Sequence, residues 1–506
     1  MTSSTDTPTM RNVLGRSPGR RRPLPGACAL LSLALLLAAG PARPADAVQA
    51  WLADHAVPIR TLDPADQDFS DLEPVRAAIG TARIVQLGEP SHGAGSSFAA
   101  KARLVMFLHQ HMGFDVLVWE SGFYDLERTQ AALRGGSDAV AAAQLGVLKI
   151  WSASTEVRPL LDHVRASQAS RRPLEMAGMD MQFTAAGAFD DFAADLRDHV
   201  GALADPARRA QALRATEAAL AAFVRVSAYV EARAAHARGL GAAGVAGADR
   251  GTAMGRWETD IGAALRPTQA DLDRLQRATN LLGDLLHARA DALAQVHDAR
   301  RRGFIARTLA NLAGYGANIH AQYGTDRPTG ADATAAALAR ENRRDTLMAA
   351  NLRWLVEHGY PGRKYIVWAH NAHIMNAWYG ADWRSVSVDP QADAMKPVGV
   401  FLAEWFGPEV YTIGFTTYEG QDGWVGAAPA DLPAASADSL EARLHRLGTP
   451  QLFLDLRALR QSPDHPLRQA QTLRLPKYDE VTLPDITRVY DAIIHIDRMA
   501  PATLIE

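Results

Sequence analysis

The chain has 506 residues, 48% of them hydrophobic, and a formal net charge of -3 at pH 7. This composition can bury a large core, and the length exceeds the needs of one ordinary domain, so one elaborated domain or two domains are expected. No basic run occurs outside the amino-terminal segment, which argues against a nucleic-acid partner and favours a small molecule.

Residues 1–47 have the pattern of a secretory signal peptide. Several arginines precede an apolar stretch at residues 27–39, and Ala45-Asp46-Ala47 offers a small-x-small cleavage site before Val48. The stretch is too short to span a membrane, so we expect export to the periplasm or medium without stable membrane insertion. The only cysteine, Cys28, lies in this segment, so the mature protein is expected to contain no thiol. No heptad pattern indicates an oligomeric state.

Four mostly apolar runs, each followed by an acid or a histidine, predict strands of a parallel sheet. The runs are Arg83–Leu87, Phe114–Trp119, Pro173–Met179 and Arg363–Ala369, and they are followed in turn by Glu89 and His92, by Glu120, by Asp180, and by His370 and His373. Runs of this length suit strands that helices cover on both faces. Because ligands bind beyond the carboxyl ends of such strands, these polar residues are expected to converge on one active site.

The segments between these runs indicate helices. Ser96–Met112 has apolar residues three or four positions apart and should connect the first two strands as a parallel crossover. Residues 189–340 are rich in Ala, Leu and Arg at helical spacing, which predicts a helical insertion. Within it, Arg238–Gly255 is crowded with Gly and Ala, and we expect a mobile connection, either an ordinary loop or a lid.

The predicted fold class is α/β, with a mostly parallel central sheet flanked by helices and a large helical insertion over the carboxyl edge of the sheet. The sheet core is expected in two parts, residues 48–188 and 341–506. Three later runs, at residues 409–415, 451–456 and 492–496, bring the expected number of strands to about seven.

Five motifs, in this order, resemble those of the erythromycin esterase family. They are Gly88-Glu89-x-x-His92-Gly93, Trp119-Glu120, Gly178-Met179-Asp180-Met181-Gln182, Arg344-Asp345-x-x-Met348 and Trp368-Ala369-His370-Asn371-Ala372-His373. The resemblance extends from about Ala82 to the carboxyl end. It implies an α/β hydrolase that opens an ester or a lactone, without a cofactor.

The resemblance also implies roles for the histidines and acids. His92 would be the general base that activates water, and Glu89 or Glu120 would hold its tautomer and stabilise the cation that forms. Glu120 would otherwise help to position the water. His370 and His373 would line the same pocket and polarise the carbonyl or stabilise the oxyanion. Ser91 is not in a Gly-x-Ser-x-Gly elbow, so no serine nucleophile is expected.

Three further residues are candidates for substrate binding, each with a structural alternative. Lys101 falls where the family often has a basic residue facing the cleft; Arg103 competes for that role, and both would equally suit a solvated helix face. Asp180 suits either the pocket or a loop held by backbone amides. Arg344 would reach the acids of the pocket, whereas its neighbour Asp345 is expected in a structural ion pair.

Two other functions remain open at this stage. The set Glu89, His92, His370 and His373 offers ligands for a catalytic zinc, although the helical His-Glu-x-x-His signature is absent. The fold would also suit an exported binding protein for a bulky ligand, against which the retention of all these polar residues argues. The substrate itself is not specified by the sequence. Selectivity is expected to lie in the helical insertion and in loops such as Trp378–Ser387, whose Trp378, Tyr379 and Trp383 would either line an apolar wall for a bulky ring or pack in the core.

Overall fold

The computed structural model describes residues 44–377, 395–474 and 478–505. The predicted aromatic loop Trp378–Ser387 lies outside these residues, as does most of the predicted signal peptide. The described strands are β1 Val57–Pro58, β2 Ile84–Leu87, β3 Val116–Gly122, β4 Glu175–Asp180, β5 Tyr365–Trp368, β6 Val410–Asp422, β7 Ala430–Leu432, β8 Gln451–Asp455, β9 Gln471–Arg474, β10 Glu480–Leu483 and β11 Ala492–Met499.

Nine of these strands form one mixed sheet. Its order is β1-β8-β11-β6-β2-β5-β3-β4, with β7 paired to the end of β6. The six strands from β11 to β4 are parallel, whereas β8, β1 and β7 pair antiparallel. Strands β9 and β10 form a separate antiparallel pair. The α/β class and the seven predicted strands are therefore confirmed; β1 and β7 have only two and three residues, too few for a recognisable pattern.

The central strands are apolar because helices cover both of their faces. In β2, Ile84 belongs to the core on one face, while Val85 and Leu87 belong to the core on the other. All residues of β2, β3, β4 and β5 are buried. This burial explains why these strands read as continuous apolar runs and not as an alternating pattern.

Helices occupy most of the remaining described chain. They are α1 Pro44–His55, α2 Glu73–Ile79, α3 Gly95–Met112, α4 Asp125–Arg134, α5 Ala139–Ala143, α6 Lys149–Ser152, α7 Arg158–Ser167, α8 Ala188–Gly201, α9 Pro206–Ala242, α10 Gly247–Trp257, α11 Ala263–Leu265, α12 Gln269–His287, α13 Ala290–Ala294, α14 Ala299–Tyr323, α15 Ala331–Trp354, α16 Asn371–Ile374, α17 Val398–Phe406, α18 Leu440–His445 and α19 Ile486–Val489. None of them has both the length and the apolar composition that crossing a membrane requires.

Helix α3 connects β2 and β3 as predicted, and these strands are parallel, but they are not neighbours. Strand β5, which follows almost 250 residues after β3 in the chain, lies between them and pairs with both. The insertion of β5 brings the histidine-bearing segment that follows it between the ends of β2 and β3.

Helices α8 to α15 form a large helical region between β4 and β5. Their apolar residues, such as Phe192, Leu312 and Met348, share one core with Val118 and Met179 of the sheet. The predicted connection at Arg238–Gly255 is shorter than expected, because α9 continues to Ala242 and α10 begins at Gly247; its mobility stays a prediction.

Candidate active site

The predicted site residues meet at the carboxyl ends of four adjacent parallel strands. Glu89 and His92 follow β2, Glu120 lies in β3, Asp180 ends β4, and His370 and His373 follow β5. Because β5 lies between β2 and β3 in the sheet, its two histidines come between the acids of its neighbours.

Glu89 and His92 form a hydrogen-bonded pair. The His92 Nδ1 lies 2.9 Å from Glu89 Oε1, and since a carboxylate can only accept, Nδ1 carries the proton. Trp151 Nε1 donates to the same oxygen at 3.1 Å, which fixes the carboxylate further. Glu89 is completely buried, whereas the His92 side chain is 25% exposed. The remaining ring nitrogen, Nε2, has no hydrogen-bond partner among the described residues and is available as a base.

Lys101 supports this pair from helix α3. Its Nζ donates to Glu89 Oε2 at 2.6 Å and lies 4.2 Å from the centre of the Trp368 ring. Burial lowers the pKa of the Lys101 ammonium to about 8, and Glu89 opposes that shift. The alternative of a solvated helix face is wrong, since Lys101 is fully buried, and it is wrong for Arg103 too, which pairs with Asp71 inside the protein.

A second cluster surrounds Arg344 of helix α15. Its guanidinium binds Asp180 Oδ2 through Nε at 3.0 Å and Nη2 at 2.6 Å, and Nη2 also donates to Glu120 Oε1 at 3.0 Å. Burial alone would raise the pKa of Glu120, but the charges of His373 and Arg344 outweigh it and hold this pKa well below its usual value. Asp180 also accepts a bond from the Gln182 backbone amide, so it serves both the cluster and its own loop.

His373 lies between two carboxylates. Its Nδ1 is 2.8 Å from Asp345 Oδ1, and its Nε2 is 3.2 Å from Glu120 Oε1. Burial lowers the pKa of this imidazole, but Asp345 and Glu120 outweigh burial and raise it to about 10. The protonated ring then donates to both acids, so Arg344 Nη1, 3.1 Å from Nε2, lies beside it without a hydrogen bond, while Arg344 Nη2 donates to the same Glu120 oxygen.

Asp345 has a closer connection to the site than the sequence suggested. Adjacent helical residues point in different directions, which had indicated a separate ion pair for Asp345. In the structure the partner of Asp345 is His373 itself, because this ring lies within reach of both Arg344 and Asp345. A bond from the Val398 backbone amide to Asp345 Oδ1 fixes the carboxylate.

His370 is bound to the main chain through both ring nitrogens. Its Nε2 donates to the Pro90 carbonyl at 3.0 Å, and its Nδ1 accepts from the Ala372 amide at 3.2 Å. Burial, together with the charge of His92, lowers the pKa of His370 to about 3, so the ring is neutral. The ring centre lies 5.3 Å from that of His92. In this geometry His370 positions the loop that carries His92.

Glu120 connects the two halves of the site. One of its oxygens binds Arg344 and His373, and the other accepts a bond from the His370 backbone amide at 2.9 Å. The structure therefore brings together all eight predicted site residues, Glu89, His92, Lys101, Glu120, Asp180, Arg344, His370 and His373.

Sequence reasoning missed several residues of this site. Besides Asp345, they are Trp151, which binds Glu89, and Asp422 at the end of β6, which accepts a bond from the Ser91 hydroxyl at 3.0 Å. Ser91 also accepts from the Gly93 amide, so its oxygen is engaged on both sides and has no bond to His92. An acid at a strand end was a usable signal for Asp422; nothing local indicates Trp151.

The proposed zinc ligands do not form a metal-binding group in this arrangement. Both nitrogens of His370 are bonded to the main chain, and those of His373 face Asp345 and Glu120. Across the part of the chain that the structure describes, no set of three or more His, Cys, Asp or Glu has the geometry to hold a metal ion. The absence of a cofactor stays a prediction.

Comparison with known proteins agrees with a hydrolytic site on this fold. Residues 109–499 match the family model described as Erythromycin esterase. "Putative hydrolase YbfO" of Bacillus subtilis (strain 168) is 24% identical over 466 residues, covering 90% of this chain and 92% of the relative. "Erythromycin esterase type II" of Escherichia coli is 34% identical, but only over 73 residues, 14% of this chain and 17% of that protein.

Solved structures share the fold. A crystal structure of a Bacillus cereus protein has a TM-score of 0.66 at 19% identity, covering 92% of this chain and all of that one. A mutant of the erythromycin esterase EreC, in its open conformation, has a TM-score of 0.58 at 16% identity, covering 87% of this chain and 96% of that one. The family match and the name of the Bacillus subtilis relative support a hydrolase. The chain belongs to the erythromycin esterase family.

Proposed function

We propose that this protein is an exported carboxylic ester hydrolase that opens an ester or lactone by means of water activated at His92. The observation that carries the proposal is the Glu89–His92 pair, in which Nδ1 is held by a buried carboxylate and Nε2 has no described partner. A histidine held in this way presents a basic nitrogen at neutral pH, and its carboxylate stabilises the imidazolium that forms.

The reaction follows from this arrangement. Water transfers a proton to His92 Nε2 while its oxygen bonds to the carbonyl carbon, which produces a tetrahedral oxyanion. Collapse of this intermediate breaks the bond to the ester oxygen, and the imidazolium returns the proton to the departing alcohol. Ester and water thereby give a carboxylic acid and an alcohol, and His92 is neutral again.

The cations Arg344 and His373 supply the positive charge that the oxyanion requires. Both are held by buried carboxylates before the reaction begins, so little reorganisation accompanies charge development. Glu120, which touches both cations and the His370 amide, links them to the segment that carries His370, whose ring centre lies 5.3 Å from that of His92.

A macrolide is the first substrate to test, because the family and one solved relative carry the name erythromycin esterase. Purified protein is incubated with a panel of macrolides and simpler lactones, and the products are weighed by mass spectrometry. We expect the gain of one water, with a rate that falls about 10²–10⁴-fold in His92→Ala. His358→Ala is the control, since that side chain is 62% exposed and its ion-pair partner is Glu357, which is not a residue of the site.

The outcomes separate the alternatives. Hydrolysis that persists in His92→Ala would overturn the role of His92, and activity that disappears with a chelator would indicate metal-dependent chemistry. If a simple lactone is opened and every macrolide is unchanged, the protein is an ester hydrolase whose substrate is not a macrolide. Turnover of no ester by the folded protein would contradict the proposal.

Export is supported by the arginine-rich and apolar pattern of residues 1–47. The compact unit of the structure begins at Pro44, close to the proposed cleavage site after Ala47. Expression with the native amino terminus, followed by fractionation and intact-mass analysis, tests this part. A periplasmic or secreted protein that begins near Val48 is the expected result, and an uncleaved cytosolic protein would contradict it.

A further inference from the structure

Trp424 is an exposed aromatic side chain held beside the proposed base. Its indole is 53% exposed, and its ring centre lies 5.9 Å from that of His92, at an interplanar angle of 73°. Trp151 contacts the same imidazole at 5.5 Å but is completely buried. Of the two tryptophans that flank His92, one therefore belongs to the core and the other is open to solvent.

The backbone around Trp424 is anchored to the loop that carries His92. The amide of Gly423 donates to the Gly93 carbonyl at 3.4 Å, and the Ala502 amide donates to the carbonyls of both glycines, at 2.9 Å for Gly93 and 3.1 Å for Gly423. Asp422, which immediately precedes Gly423, accepts a hydrogen bond from the Ser91 hydroxyl. The segment that leads into Trp424 is thus bonded directly to the loop that carries His92.

The two loops are in close contact. A Cβ on Gly93 would lie 2.8 Å from the Gly423 carbonyl carbon and 2.9 Å from Asp422 Oδ1. Real Cβ atoms do not approach so closely, so glycine at position 93 permits the contact that brings Trp424 to the base.

An exposed indole leaves a large apolar surface in water, which costs free energy unless a ligand covers it. A mobile surface tryptophan would be unremarkable, but this one is anchored at a fixed distance from a catalytic base. Indole rings bind the flat apolar faces of other rings by stacking and by area burial.

We infer that Trp424 is a substrate-contacting residue that selects esters or lactones with an apolar ring next to the scissile bond, over short linear esters. This inference rests on the proposed hydrolysis at His92. It assigns the ring-binding surface to a described residue, independently of the aromatic loop at 378–387.

The kinetic test compares two esters with the same acyl group, 2-naphthyl butyrate and ethyl butyrate, in Trp424→Ala, Trp424→Phe and the parent. We expect Trp424→Ala to lower kcat/KM for the naphthyl ester about tenfold, mainly through KM, and to change that for the ethyl ester less than about twofold. Trp424→Phe should restore much of the loss. The control Leu281→Ala, at a side chain 54% exposed in the helical region, should change kcat/KM for neither ester.

A binding test separates this inference from the proposed function. The amide analogue N-(2-naphthyl)butanamide is titrated calorimetrically into the same proteins, so that no ester hydrolysis is needed. If the amide binds about tenfold more weakly to Trp424→Ala, and to no other variant, the result supports the inference even if no ester is hydrolysed. If both esters are hydrolysed and Trp424→Ala changes neither kcat/KM nor the Kd of the amide, the inference is overturned and the proposed hydrolase stands. Failure of the amide to bind the parent would also overturn it.

Discussion

Lys101 Nζ lies 2.6 Å from Glu89 Oε2, and both side chains are completely buried. Glu89 uses its other oxygen for His92 and Trp151, so one carboxylate joins the base, an indole and a buried cation. A buried charge without a partner is costly, and Lys101 is the cation that pairs with the buried Glu89 carboxylate behind His92.

Lys101→Met should therefore affect both stability and activity. It leaves the Glu89 carboxylate buried without its cation, and we expect the free energy of unfolding to fall by about 3–5 kcal/mol. Because Lys101 also fixes the position of Glu89 Oε2, the carboxylate can turn away from His92 Nδ1 in this variant, and kcat/KM should also fall by about 10²-fold. Urea unfolding and steady-state kinetics measure the two effects.

A double variant provides the control for this pair. Glu89→Gln with Lys101→Met removes both charges, so its stability should lie above that of Lys101→Met alone, while activity stays low. Equal stability of the parent and Lys101→Met would show that the buried ion pair has no energetic role.

Asp345→Asn should lower the pKa of His373. Asp345 and Glu120 raise this pKa to about 10, so loss of one negative charge moves it down, by about 1–3 units. NMR titration of the histidine side chains measures the shift directly. If activity requires the protonated ring, the basic limb of the kcat/KM profile moves to lower pH by the same amount.

Asp326→Asn is the matched control, because Asp326 pairs with His320 in the helical region and not with His373. It should leave both the His373 titration and the basic limb in place. An unchanged His373 pKa in Asp345→Asn would contradict the arrangement described for this ring.

Much of this site was predictable because polar residues at the ends of parallel strands must meet at one edge. Glu89, Glu120, Asp180 and His370 each follow or end an apolar run, and a one-dimensional pattern suffices to find them. The order of the strands was not predictable, since the crossover from β4 to β5 passes through the whole helical region, and no local pattern states where β5 will pair.

Residues held by long-range contacts escaped the sequence. Asp345 reaches His373 only because α15 packs against β4, and Trp151 reaches Glu89 only through the packing of α6 beside the strand ends. The opposite error occurred at Arg238–Gly255, where the glycine content suggested one long connection, whereas α9 and α10 occupy most of the segment. Tertiary packing decides such cases.

Gly93→Ala should reduce activity by disturbing the contact between the two loops. The new Cβ would lie within 3 Å of Gly423 and Asp422, so one loop must move. We expect an unfolding free energy lower by about 1–3 kcal/mol and a fall of at least about tenfold in kcat/KM, because His92 lies next to the displaced residue.

Gly283→Ala is a suitable control for this substitution. Gly283 lies within α12, and a Cβ there would have no heavy atom within 4 Å, so alanine should be neutral or stabilising by up to about 1 kcal/mol. Full activity of Gly93→Ala would show that the close approach at Gly93 is not needed to place His92.

The helices α3 and α7 are joined by a histidine pair outside the active site. His109 Nε2 donates to the Arg172 carbonyl at 2.9 Å, so its Nδ1 must accept the bond that His163 Nε2 donates at 2.9 Å. Burial, with a contribution from His109, lowers the pKa of His163 from 6.5 to about 4. Both rings are therefore neutral in the folded protein at pH 7.

This pair should make the protein sensitive to mild acid. Below about pH 6.5, His163 takes up a proton in the unfolded chain but not in the folded protein. The contribution of His163 to the free energy of unfolding is therefore complete above that pH and is lost as the pH falls towards 4. The slope for one proton is less than about 1.4 kcal/mol per pH unit, because His163 is partly exposed. Urea unfolding between pH 7 and pH 4.5 measures this slope.

His163→Gln, whose amide can still donate to His109 without titrating, should flatten the dependence of stability on pH, whereas His358→Gln, at an exposed histidine, should not. Equal slopes in the parent and His163→Gln would place the acid sensitivity in other groups.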